Sequence, residues 1–175
     1  MAFLFVSSTF GRLDILINNA AIGTSSAAPT LRERYIEVFN TNVFGTACLT
    51  DAFLPLLRKS LFPQKRIVNV SSGVGSHGYA QDPACPYSAE TFPGHVYRST
   101  KAALNMLTVV DAAQLRADGI QVVSVCPGFM ETAFNDYKGQ KPVEEGAKAV
   151  IRAATEAQVN GKFLTDDVPE GVFPW

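Results

Sequence analysis

Tyr97 and Lys101 stand four residues apart in YRSTK, a spacing that on a helix sets both side chains on one face, one turn apart. An ammonium that close stabilises a phenolate, so the pair predicts a tyrosine pKa moved down from about 10 toward neutrality, where a phenol serves as a general acid/base. Tyrosine and lysine at this spacing also describe an ordinary solvated helix face. Other polar residues gather at the ends of apolar runs: Ser71 and Ser72 close KRIVNV, Asn18 and Asn19 close LDILIN, and Pro127 and Gly128 follow IQVVSVC. If these runs are parallel strands, their ends open on one crevice, where open α/β sheets bind ligands. Each residue has a plainer reading: the serines as strand caps, Asn42 bonding backbone in a bent helix, Thr132 capping a turn before Ala133. Their joint occurrence favours chemistry.

Competing chemistries find less support. Gly73, Gly75 and Gly78 spell GxGxxG after a candidate strand, but that fingerprint needs a helix opening at the last glycine, and the prolines of YAQDPACPY predict none. A glycine-rich loop beside a substrate pocket is the expectation. No GxSxG surrounds a serine, and neither His77 nor His95 has an evident partner, which argues against a serine hydrolase. Cys48, Cys85 and Cys126 form no CxxC pair, so free thiols in a reducing compartment are expected and no metal site.

The elements that would position these groups follow from periodicity. Branched-aliphatic runs at 13–18, 65–70 and 120–126, with a weaker one at 162–165, read as strands. Helical spacing covers 31–40, 43–60, 96–117 and 143–158. Strands apolar on both faces and separated by helices predict an α/β, doubly wound parallel sheet reached by right-handed crossovers. Thr30 with Glu33 has the capping-box spacing, Pro142 suits a helix start, and Gly119 a helix stop. Pro55 falls inside the 43–60 stretch, where it predicts a kink or an end. Phe53, Leu54, Leu56 and Leu57, with Met106, Leu107, Val109 and Val110, read as core or as a helix face for a partner chain.

At 175 residues, 47% hydrophobic and 18% charged, one folded domain over residues 1–175 is expected. A net charge of −1 without a basic stripe argues against nucleic acid. No apolar run nears the ~20 residues that cross a bilayer, and residues 2–6 are too short for a signal segment, so a cytoplasmic location is the expectation.

With these residues in this order, the sequence resembles the short-chain dehydrogenase/reductase family from about Gly11 onward. The resemblance rests on Asn18-Asn19-Ala20, Asn42 in NTNVFG, Ser72 in IVNVSS, Tyr97 with Lys101, Pro127-Gly128 with Thr132, and the closing GKFLTDDVPEGVFPW. It implies a nicotinamide-dependent oxidoreductase that interconverts a carbonyl compound and its alcohol by hydride transfer. Tyr97 would be the acid/base on the substrate oxygen and Ser72 would hold that oxygen. Lys101 would lower the tyrosine pKa and bond the nicotinamide ribose, and Asn42 would hold a water in a proton relay. Asn18 and Ala20 would line the cofactor channel, and Pro127, Gly128 and Thr132 would contact the nicotinamide end. The resemblance favours NADP over NAD and implies a homo-oligomer through the long helices. Residues 73–96, between Ser72 and Tyr97, are an insertion similar to that of carbonyl-reductase-type members. Tyr79, Tyr87, Phe92 and Phe129 would supply aromatic walls for an apolar carbonyl compound.

Two departures stand out. The family begins with a strand and a TGxxxGxG turn that bind the adenosine half of the cofactor, and nothing like it lies upstream of Gly11. The expectation is an incomplete Rossmann-like sheet lacking its first βα units, with β-edge and helix surface uncovered. The second reading is therefore a non-enzymatic, truncated remnant unable to bind dinucleotide, which pairs at most with a full-length relative or is unstable. Ala21 stands where the family usually has glycine, with a modest effect expected on backbone approach.

Overall fold

The branched-aliphatic runs form four parallel strands in a computed structural model that describes residues 2–23, 28–156 and 158–175. Helix α1 (Ala2–Phe10) precedes β1 (Ile15–Asn18); α2 (Leu31–Phe39) passes through a π-helical turn (Asn40–Gly45) into α3 (Thr46–Arg58). Then come β2 (Arg66–Val70), the one-turn α4 (His77–Ala80), α5 (His95–Gln114), β3 (Gln121–Cys126), α6 (Val143–Thr155) and β4 (Phe163–Thr165). The strands lie side by side in chain order, and each is joined to the next through at least one helix. β1 pairs with β2 alone among the described residues, and Ile17 is exposed.

Both faces of the sheet are covered. One buries Leu16, Ile67 and Val122 against Phe53, Leu56 and Leu57 of α3 and Ala112 of α5. The other buries Val68, Val123 and Val125 against Ala149, Ala153 and Ala154 of α6. Phe53, Leu56 and Leu57 are therefore core, whereas Met106 is 61% exposed with Val109 and Val110 beside it on the outer face of α5.

Helix ends follow the local signals. Thr30 Oγ1 accepts the Glu33 amide at 3.2 Å, and the Glu33 carboxylate takes the Thr30 amide at 3.1 Å, closing the capping box. Gly119 adopts φ 69° after α5, a left-handed turn that glycine enters without steric cost. Three local readings are corrected. α3 runs through Pro55 to Arg58. α1 occupies a segment with no expected element; Phe3 packs edge-on against Phe53 with centroids 5.7 Å apart. One helical turn also forms inside GxGxxG, because Ser76 accepts the Tyr79 amide at 3.1 Å before the prolines begin. The end of the expected 143–158 helix reaches residue 157, which lies outside the described residues; the helix itself closes at Thr155.

A polar row crosses this sheet. Asn18, Asn69 and Ser124 are consecutive register partners on β1, β2 and β3. Asn18 Nδ2 donates to Asn69 Oδ1 at 2.9 Å and to Thr50 Oγ1 of α3 at 3.1 Å. Asn69 Nδ2 donates to Thr108 Oγ1 of α5 at 2.9 Å, and that hydroxyl lies 2.8 Å from Ser124 Oγ. Ser71 Oγ donates to Asn105 Oδ1 at 2.6 Å, tying the end of β2 to α5.

Candidate active site

The four catalytic candidates converge where β2, α5 and the π-helical turn meet. Ser72 follows β2, Tyr97 and Lys101 share the first turns of α5, and Asn42 lies in the π-helical turn. The Ser72 and Tyr97 hydroxyls share a hydrogen bond. Lys101 Nζ stands 5.4 Å from the Tyr97 ring centroid and donates to the Val70 carbonyl at 2.9 Å. Ser71 faces away, toward Asn105, so the second serine of the pair is the one beside the tyrosine.

The electrostatics differ from the expectation drawn from spacing. Burial pushes the Tyr97 phenol well above the ordinary tyrosine range, and the hydrogen bond to Ser72 only partly opposes that. The expected lowering by Lys101 is absent because the ammonium lies over the ring and is tied to Val70. Burial also disfavours the Lys101 ammonium, bringing its pKa from 10.5 down to about 8, so it keeps its charge at neutral pH but holds it less firmly. Tyr97 is thus held as a phenol, a proton donor, at neutral pH.

Asn42 braces the site through its side chain. Its Oδ1 accepts the Ile22 amide at 2.9 Å, and its Nδ2 donates to the Ile22 carbonyl at 2.9 Å and to Thr100 Oγ1 at 3.1 Å. Thr100 donates in turn to the Tyr97 carbonyl at 2.7 Å, so the loop after β1, the π-helical turn and α5 form one connected frame. Asn18 is buried in the polar row and Ala20 is exposed at the end of β1. Thr132 accepts the Asn135 amide and caps the short turn Ala133–Asn135. That turn carries Phe134, whose ring centroid is 5.5 Å from that of Tyr97 and whose edge covers Gly23. Gly128, at φ 91°, faces the Asp167 carboxylate; a Cβ there would lie 3.0 Å from Oδ1.

These residues fit the nicotinamide end of a dinucleotide. Lys101 has three N–H donors and engages one on Val70, and Asn18 Oδ1 is a buried acceptor without a protein partner. For the phosphates, the glycine-rich segment after β2 offers only a 3-10 turn (Gly73–Gly75) and the four-residue α4 among the described residues, and the capping oxygen of α4 is already taken by Tyr79. Among the described residues no cluster of three or more His, Cys, Asp or Glu could hold a metal, and no helix is long and apolar enough to cross a membrane.

A cavity of about 410 Å³ adjoins the site, walled by Tyr79, Tyr87, Phe129 and Phe173. It lies beside the catalytic groups, with Tyr87 between: that ring covers the backbone of Gly73, next to Ser72, so closely that a Cβ there would stand 2.9 Å from it. Phe92 lies elsewhere, against Gly94. Phe134, Thr100, Asn105 and Asp167 carried no spacing signal; each joins the site through a contact between segments far apart in the chain.

Known proteins share this sequence pattern and fold. The short chain dehydrogenase family model matches residues 2–143. Short-chain dehydrogenase anuI of Penicillium roqueforti (strain FM164) is 49% identical over 175 residues, covering 98% of this chain and 69% of the relative. Short-chain dehydrogenase/reductase eupG of a Phoma species is 33% identical over 180 residues, covering 96% of this chain and 64% of its own length. Among solved structures, the NADPH-bound carbonyl reductase from chicken fatty liver superposes with a TM-score of 0.78 at 29% identity, over 99% of this chain and 71% of that one. The chain thus spans about two thirds of the length of these proteins. It belongs to the short-chain dehydrogenase/reductase family.

Proposed function

We propose that the chain carries the catalytic half of an NADPH-dependent carbonyl reductase, with Tyr97 as the proton donor. The observation that supports this best is the Tyr97 hydroxyl hydrogen-bonded to Ser72, with Lys101 5.4 Å from its ring. Two hydroxyls converging on one point can both bond a carbonyl oxygen, polarising it and fixing its orientation. When bound, the nicotinamide supplies a hydride to the carbonyl carbon. Tyr97 Oη gives its proton to the carbonyl oxygen, leaving an alcohol, and Ser72 Oγ holds that oxygen throughout. Lys101, with two N–H donors remaining, bonds the ribose hydroxyls and offsets the charge left on Tyr97. Asn42 braces Thr100 and through it the first turn of α5, and it would hold the water of a proton relay.

A phenol kept protonated by burial suits reduction better than alcohol oxidation, which needs the phenolate first. NADPH is preferred to NADH by likeness to human carbonyl reductase [NADPH] 1, 28% identical over 184 residues, and to the chicken enzyme. The aromatic cavity favours an apolar ring-bearing carbonyl compound. Asn18, Ala20, Pro127, Gly128 and Thr132 would meet the nicotinamide end of the cofactor. The exposed outer face of α5 at Met106, Val109 and Val110 is where a second copy would pack.

Titration of the purified chain with NADPH and NADH, followed by nicotinamide fluorescence, tests cofactor binding. Aldehyde-dependent loss of NADPH absorbance tests turnover. Tyr97→Phe should lower turnover by about 10²–10⁴ with little change in thermal stability. No binding at millimolar dinucleotide, or full turnover by Tyr97→Phe, would overturn the reading for this chain.

A further inference from the structure

Three segments distant in the chain meet at one carboxylate beside the aromatic cavity. Tyr87, from the insertion, donates its hydroxyl to Asp167 Oδ2 at 2.6 Å. Lys141, at the end of the loop carrying Phe134, donates to Asp167 Oδ1 at 2.5 Å. The Asp167 amide donates to Thr165 Oγ1 at 3.1 Å, anchoring the carboxylate to the end of β4. Gly128 closes the other side, since only a residue without Cβ leaves room for both oxygens, which would stand 3.0 and 3.2 Å from that atom.

The charges lining the cavity decide what it can accept. They are Asp82, Lys141 and Asp167, two carboxylates against one ammonium. That ammonium is paired in place, and the pairing raises the lysine pKa. Asp167 holds the Tyr87 phenol protonated as well, with burial as the larger cause. An anionic ligand would therefore find no unpaired cation on this wall among the described residues, and it would leave its own charge partly desolvated beside Asp82. A neutral ring meets the faces of Tyr79, Tyr87, Phe129 and Phe173 at no such cost.

We propose that Asp167 sets the charge selectivity of this pocket: by engaging Lys141 and Tyr87 it reserves the cavity for uncharged, ring-bearing carbonyl compounds and turns away those carrying a carboxylate or phosphate. The assignment rests on the carbonyl-reductase reading of the adjacent site for its substrate chemistry, but its test needs neither cofactor nor turnover. The probes are a neutral and an anionic aldehyde of one shape, 4-methylbenzaldehyde and 4-formylbenzoate. Each is titrated calorimetrically into the wild-type chain, Asp167→Asn, and Asp167→Asn combined with Lys141→Met.

Asparagine keeps the size of Asp167 and removes its charge, so Lys141 becomes available. Binding of 4-formylbenzoate should then tighten by about tenfold while 4-methylbenzaldehyde changes by less than about twofold, and the double variant should lose the gain. An unchanged anion-to-neutral ratio in Asp167→Asn overturns the assignment, as does a gain that survives Lys141→Met. Binding of neither probe to any of the three forms also overturns it. Should Asp167→Asn fail to fold, Asp167→Ser takes its place, with the same tightening expected for 4-formylbenzoate and an unchanged anion-to-neutral ratio refuting the idea. A chain that shows the Asp167→Asn shift but binds no NADPH would keep the charge filter and reject the reductase reading.

Discussion

Lys101 is the group whose titration tests the electrostatics of the site most directly. Its side chain is 2% exposed, and burial lowers its pKa from 10.5 to about 8. Below about pH 8 the lysine is charged in both folded and unfolded chains, and the folded state carries the full cost of burying it. Between about pH 8 and 10.5 the unfolded chain keeps the proton that the folded one has released, so unfolding free energy rises with pH across that window. Integrated from about pH 7 to about pH 10, the gain is about 2–3 kcal/mol. Other groups work in the opposite sense. The buried Cys126 thiol is pushed from 9.0 up to about 11 and the Tyr87 and Tyr97 phenols are also raised, so each holds its proton longer when folded and withdraws stability as pH climbs. Lys101→Met removes the lysine contribution and leaves those, so the difference between the two proteins isolates it. Urea unfolding of both near pH 7, 8, 9 and 10 should show wild type gaining about 2–3 kcal/mol relative to the variant. A difference that stays flat within about 0.5 kcal/mol would refute the argument that burial governs this site.

Two further substitutions probe how the catalytic frame is held. Arg66, 0% exposed on β2, donates to the carbonyls of Ala153 and Glu156 at 2.9 and 2.7 Å and so closes the end of α6. Arg66→Met keeps the apolar stem and leaves those carbonyls unmet, which should cost about 2–4 kcal/mol in urea unfolding with an unchanged m-value. A Cβ at Gly75 would lie 2.7 Å from the Lys101 carbonyl carbon and 2.8 Å from its Cβ. Gly75→Ala should therefore push α5 outward, cost about 1–3 kcal/mol by thermal unfolding, and weaken the Ser72–Tyr97 contact, seen as a fall in turnover larger than the change in KM.

The strands and their parallel arrangement were legible because 65–70 and 120–126 are apolar on both faces and long helical stretches separate them. YxxxK was legible because i,i+4 spacing on a helix is a geometric certainty once the helix is granted. The pKa of Tyr97 was not, since spacing reports that a lysine is near and says nothing of burial or of the ammonium donating a hydrogen bond to the Val70 carbonyl. Asn42 was legible as a polar residue in a bent helix, but its partner at Ile22 lies twenty residues away and leaves no periodic trace. The single turn at His77–Ala80 was missed because prolines were weighed across the whole segment, although none falls within the turn itself.

The polar row through the sheet has a consequence for how the chain reaches its fold. Apolar runs such as Ile15-Leu16-Ile17 and Ile67-Val68 would pair almost as well if slid along one another by two residues. In such a shifted pairing Asn18, Asn69 and Ser124 would face hydrocarbon, at about 1–3 kcal/mol for each stranded polar group. These side chains thus act as an alignment key: they penalise shifted pairings while adding little to the correct one, and they fix the register of the three strands.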